Sequence, residues 1–147
     1  MPQLDDQELA TQLFNRCWQL LESTRDVDDD VELLTAAFSS RYHWLIVGEQ
    51  EQRIVSDWMV ARAAAAVGEG ELSLLFAKRA HAAAQDIGVP DWLVASSAEG
   101  VARAYAAAGD VEQFGHYFAL ATRLAAVIAD ADDRMLIASQ LDDIKAP

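Results

Sequence analysis

The chain has 147 residues, 52% of them hydrophobic, which is enough apolar side chain for the core of one domain. Eleven Lys and Arg stand against 24 Asp and Glu, and the net charge of −13 sets up a negative field that repels phosphate backbones and anionic membranes. Neither nucleic acid nor membrane is therefore an expected partner, and the cations, adjacent to one another only at Lys78-Arg79, form no basic stripe.

Apolar residues recur at helical spacing, and turn formers divide the chain into seven predicted helices at 5–23, 28–47, 51–67, 71–87, 91–108, 111–128 and 131–144. The expected fold class is all-α, one domain over 1–147. The opening MPQLDDQEL has neither a cationic start nor an apolar stretch, so no signal peptide is expected. In the first helix the lone Cys17 cannot form an internal disulfide, which fits a reducing compartment and a buried packing role. The longest mostly apolar run, Ala119 to Ala129, is broken by Thr122 and Arg123 and falls short of the roughly 20 residues that span a bilayer. A cytoplasmic location is expected.

Ahead of the second helix lies Asp26-Val27-Asp28-Asp29-Asp30. Asp26, Asp28 and Asp30 match the first alternate ligands of a calcium loop, but Val31 replaces the turn glycine and Ala37 the bidentate glutamate. No metal is expected there, and Asp29 with Glu32 is the predicted helix cap. Near the end of the same helix, Arg41, Tyr42, His43 and Trp44 concentrate rings and a cation. Ser40, His43, Trp44 and Val47 share one helical face, which makes the segment a candidate pocket with His43 as a proton donor or binding contact.

Gly48, Gly68, Gly88 and Gly109 stand where helices should end in the left-handed conformation, Pro90 belongs in a first turn, and Asp110 with Gln113 can cap a start. Such short turns make neighbouring helices antiparallel. Val60 to Glu69 (VARAAAAVGE) returns as Val101 to Asp110 (VARAYAAAGD) 41 residues later, seven positions of ten being identical. A period of this size points to stacked helical units.

The residues Ala98, Val101, Ala102, Tyr105, Gly109-Asp110, Phe118 and Ala121 resemble the pattern of a tetratricopeptide repeat. So do Val60, Ala61, Ala64, Gly68-Glu69, Ser73, Ala77 and Ala80 in the earlier copy. The period exceeds the family's usual length of about 34, which makes the chain similar to the long-helix variety found in some bacterial regulatory proteins. Phe114 departs from the pattern by standing where a small residue is usual. The chain is also similar to small alanine-rich bacterial proteins with a segment like Ser39-Ser40-Arg41-Tyr42-His43-Trp44. The resemblance implies a short right-handed superhelix, with a degenerate first pair at 1–49, repeats at 50–89 and 90–130, and a capping helix at 131–144. It further implies a concave groove lined by Val55, Trp58 and Arg62 on one pair and by Ser96, Glu99 and Arg103 on the next.

Two guanidiniums on neighbouring helices offer forked donors to a carboxylate. Alternatively, Glu99 and Arg103, one turn apart, pair with each other on the surface. No HExxH, CxxC, GxSxG or GxxxxGK[ST] motif occurs, and no cofactor is expected. The expected function is a protein-interaction module that binds a peptide or partner helix in the groove. The alternatives are a small-ligand receptor or unrecognised enzyme using the aromatic and histidine pocket, and a structural homo-oligomer such as a homodimer.

Overall fold

A computed structural model describes residues 3–147, and it is all-helical, with seven helices and no strand among the described residues. Met1 and Pro2, which open the expected first pair, lie outside the described residues. The helices are α1 (Asp6–Leu21), α2 (Val27–Val47), α3 (Gln50–Ala66), α4 (Gly70–Ala83), α5 (Asp91–Ala108), α6 (Val111–Ala126) and α7 (Ala131–Asp142).

Acidic side chains start four of these helices by accepting from N–H groups that lack a partner within the helix. Asp5, Asp26, Asp110 and Asp130 each accept from the amide three residues on, at 2.8–3.0 Å. The expected Asp29–Glu32 cap does not form. The cap is Asp26, three residues earlier, with the helix starting at Val27; the Asp29 carboxylate accepts in return from the Asp26 amide at 3.1 Å, and Glu32 is left to pair with Arg16 of α1 at 2.6 Å. Pro90 precedes the first turn of α5, and its carbonyl accepts from the amides of Leu93 and Val94.

At the ends, Gly68, Gly88 and Gly109 have φ near +80° to +90°, where a side chain is disfavoured. Gly48 does not: at φ −78° it is extended, and its requirement is room, since a Cβ would stand 2.5 Å from the Trp44 carbonyl oxygen. Helix α4 stops at Ala83, four residues short of the predicted end. The amides of Gln85 and Asp86 close back three residues instead of four, and Ile87 is fully exposed, so no packing draws the chain onward.

Helices pack as the pairs α1/α2, α3/α4 and α5/α6, and the odd-numbered helices also touch in series, α1 to α3 to α5 to α7. The even-numbered backbones stand apart, and long side chains bridge them: Phe38 meets Phe76 edge-on, and His81 meets Tyr117. One side of the stack is thus closed by neighbouring helices and the other is open. Small residues allow this closeness. Ala61, Ala64, Ala77, Ala98, Ala102 and Ala104 are all buried, Ser73 donates to the Ala61 carbonyl at 2.7 Å, and a Cβ on Gly70 would lie 2.8 Å from the Ala108 backbone.

The spacing of 41 residues that separates Trp58 from Glu99 extends through all four odd helices in two registers, and in a third it runs from α1 through α3 and α5 to Ile144, two residues past the end of α7. Phe14, Val55, Ser96 and Ile137 occupy one register, Cys17, Trp58, Glu99 and Gln140 the next, and Leu21, Arg62, Arg103 and Ile144 a third. Equal register places these side chains side by side on one face. Among the described residues no helix is long and apolar enough to cross a membrane.

Candidate functional site

The odd-helix face carries two cavities, and the registers above explain their contents. The first, of about 220 Å³, is lined by Phe14 and Trp18 of α1, Val55 and Trp58 of α3, Trp92, Leu93 and Ser96 of α5, and Asp133, Leu136, Ile137 and Gln140 of α7. It is an apolar cleft with three indoles. A smaller hollow of about 160 Å³, lined by Thr11, Phe14, Trp44, Glu51, Gln52 and Val55, shares Phe14 and Val55 with it.

The second cavity, of about 490 Å³, lies towards the C-terminal ends of the same helices. Leu21, Arg25, Arg62, Ala65, Ala66, Arg103, Ala106, Ala107, Asp143, Ile144, Lys145 and Ala146 line it. Four of the chain's eleven cations are here, against one of its 24 acidic residues.

Between the cavities sits Glu99, with no exposed surface. Its Oε1 accepts from Arg103 Nε at 2.8 Å and lies 2.7 Å from Arg103 Nη2, and its Oε2 accepts from Trp58 Nε1 at 3.2 Å. Arg103 also donates to the Gln140 carbonyl at 2.8 Å, which ties α5 to α7. The expected surface pair of Glu99 and Arg103 is therefore a buried one, with its carboxylate held by donors from two helices.

Arg62 is placed differently. Its guanidinium carbon stands 5.0 Å from the Trp18 ring centroid and 5.6 Å from that of Trp58, so the cation rests against a neighbouring pair of indoles whose own centroids are 5.9 Å apart. Its Nη1 lies 3.8 Å from Glu99 Oε1, beyond hydrogen-bond reach, and both Nε and Nη1 are buried without an acceptor. Burial pushes its pKa down to about 10, with repulsion from Arg103 adding to the effect and attraction to Glu99 and Asp143 opposing it. Gln140 Oε1 is likewise buried without a donor.

Of the sequence-derived groove residues, Trp58, Arg62, Glu99 and Arg103 thus form one cluster, and Ser96 lines the adjoining cleft. The Arg41–Trp44 segment does not converge on a single pocket. Arg41 turns to α3 and α4, pairing with Asp57 at 2.6 Å and covering the Phe76 ring at 5.2 Å. His43 Nδ1 meets Asp6 of α1 at 2.6 Å, Tyr42 is exposed, and Trp44 faces the small hollow. A helix turns 100° per residue, so four consecutive side chains cannot share one wall.

Sequence reasoning missed Trp18, Trp92, Gln140, Arg25 and Lys145. Stepping the 41-residue register back from Arg62 and forward from Glu99 reaches Leu21 and Gln140, so the period itself carried part of that signal. His81 Nδ1 lies 2.9 Å from Ser97 Oγ, but the hydroxyl proton is already given to the Val94 carbonyl at 2.7 Å and Ser97 is fully buried. The contact joins α4 to α5 and leaves no activated nucleophile facing solvent. Among the described residues no group of three or more His, Cys, Asp or Glu is placed to hold a metal ion. Comparison of the chain with family models, curated proteins and solved structures returned no match.

Proposed function

We propose that the chain is a tetratricopeptide-like interaction module that receives an extended peptide segment of a partner protein on its odd-helix face. The observation that carries this function is the cleft of Trp18, Trp58 and Trp92, an apolar recess formed by four helices in equal register. Large aromatic side chains in a concave recess anchor partners through buried area at little cost in side-chain entropy. Cavities of this shape arise naturally where stacked helical units leave one face concave. The 41-residue register through α1, α3, α5 and α7 supports the repeat character, as does the Gly-acidic turn after α3 and after α5.

A random peptide library displayed on phage, selected against the full chain, tests this function. Enriched peptides should carry a bulky apolar residue and should lose binding to Leu136→Glu, which puts a charge at the rim of the cleft on a half-exposed position where folding tolerates it. Failure to enrich any sequence, or equal binding to Leu136→Glu, would overturn it.

A further inference from the structure

We infer that the basic cavity at the C-terminal ends of α1, α3, α5 and α7 is a binding site for a carboxylate attached to an aliphatic body, with Arg62 as its principal donor. This rests on the proposal that the odd-helix face is a binding surface, and it names the chemistry of the occupant's polar end.

Helix C-termini gather cations because their last carbonyls lack partners, and that explains two of the four cations here. Arg25 donates to the carbonyls of Leu20, Leu21 and Ala66 and pairs with Asp30 at 2.8 Å. Arg103 is taken up by Glu99 and the Gln140 carbonyl. Arg62 is not explained in this way. It meets no carbonyl, its nearest carboxylate already accepts from Arg103 and Trp58, and two of its buried nitrogens have no acceptor. Nε and Nη1 are closed to solvent, so the cavity that borders Arg62 reaches the guanidinium through Nη2, which also makes no hydrogen bond within the protein.

Charge decides how many negative charges the occupant carries. Glu99 neutralises Arg103 and Asp30 neutralises Arg25, which leaves Arg62 and Lys145 against Asp143. One positive charge remains, in a chain whose net charge is −13. A monoanion fits that balance, whereas a phosphate dianion would meet Asp143 and the general field with a charge left over. The remaining lining is aliphatic: Leu21, Ile144 and five alanines. The volume of about 490 Å³ lies within the range of ordinary small-ligand sites, about 300–1,000 Å³. The same chemistry comes from two sources, a free organic acid or a Glu or Asp side chain of a bound peptide.

The test titrates the full chain with sodium 4-methylpentanoate and, separately, with 4-methylpentanamide, following the fluorescence of the tryptophans beside Arg62. A capped Ala-Leu-Glu-Leu-Ala peptide and its Gln counterpart form the second pair of probes, and inorganic phosphate the last. The acid, the Glu peptide, or both should bind at least tenfold more tightly than the neutral partner. That preference should vanish in Arg62→Met and fall about threefold in Lys145→Gln, an exposed position whose replacement leaves the core untouched. Preference for the free acid alone or for the peptide alone identifies the source and supports the inference either way. Equal binding of charged and neutral probes, tighter binding of phosphate, or an unchanged preference in Arg62→Met overturns it. If library peptides bind the cleft with no preference for a carboxylate, this inference fails while the interaction module stands. If 4-methylpentanoate binds and no peptide is enriched, the converse holds.

Discussion

Arg62 and Glu99 are both charged and both withdrawn from solvent, yet they act on stability in opposite directions. Glu99 is surrounded by donors, and removing its charge would leave two guanidiniums facing each other in a desolvated site. Glu99→Gln is therefore expected to destabilise the chain by about 3 kcal/mol, the scale on which breaking one side of a buried pair acts. Arg62 has buried nitrogens without acceptors and a pKa depressed by burial, so its charge opposes folding. Arg62→Met keeps a long apolar stem beside Trp18 and Trp58 and removes the desolvated charge. It is expected to raise stability by about 1 kcal/mol, some of the gain being offset by the lost cation–π contacts. Urea unfolding followed by circular dichroism checks both changes. A destabilised Arg62→Met would show that the guanidinium is better satisfied than its geometry indicates. Arg103 is unsuited to this comparison, because its removal strands Glu99.

Between helices, the question is where an added methyl has room. Gly100 and Gly115 both lie inside helices, where glycine costs about 1 kcal/mol relative to alanine. A Cβ on Gly100 would stand 2.9 Å from Trp58 Cδ1, and that indole is fixed by its bond to Glu99. Overpacking of about 1–3 kcal/mol then exceeds the helix gain, and Gly100→Ala is expected to lower the melting temperature. Gly115 faces open space, so Gly115→Ala should raise it. Calorimetry on the two variants checks the pair, and a stabilised Gly100→Ala would mean that Trp58 is free to move. The same elements show what could be read from the sequence. The seven helices were legible because Gly-acidic turns and helical spacing are local signals. The cap of α2 was misplaced because Asp26 and Asp29 both suit that role, and only the completed turn selects between them. The burial of Glu99 was not legible, since it depends on an indole N–H from α3 and a guanidinium from its own helix meeting on one carboxylate. The part played by α1 and by the segment after α7 was hidden for another reason: Leu21 and Ile144 share the register of Arg62 and Arg103 without sharing their chemistry.

Over the whole molecule, a carboxylate at Arg62 experiences two fields of different range. The guanidinium acts at contact distance in a partly desolvated cavity, where dissolved salt screens little. The net charge of −13 is spread over largely exposed Asp and Glu and acts across the surface. Its repulsion reaches about 30 Å at 0.01 M salt and about 10 Å at 0.1 M. Raising sodium chloride across that interval should remove more repulsion than attraction. The affinity for 4-methylpentanoate is therefore expected to increase by about threefold, a little over half a kcal/mol, while that for the neutral amide stays level. Fluorescence titration at the two ionic strengths measures the difference directly. An affinity that falls steeply with salt would place the acid on exposed cations such as Lys145, since only solvated attraction is screened so readily. On the proposed carboxylate site, acidic surface and basic recess would divide the work: the first would reject polyanions, and the second would admit a single carboxylate once its approach is screened.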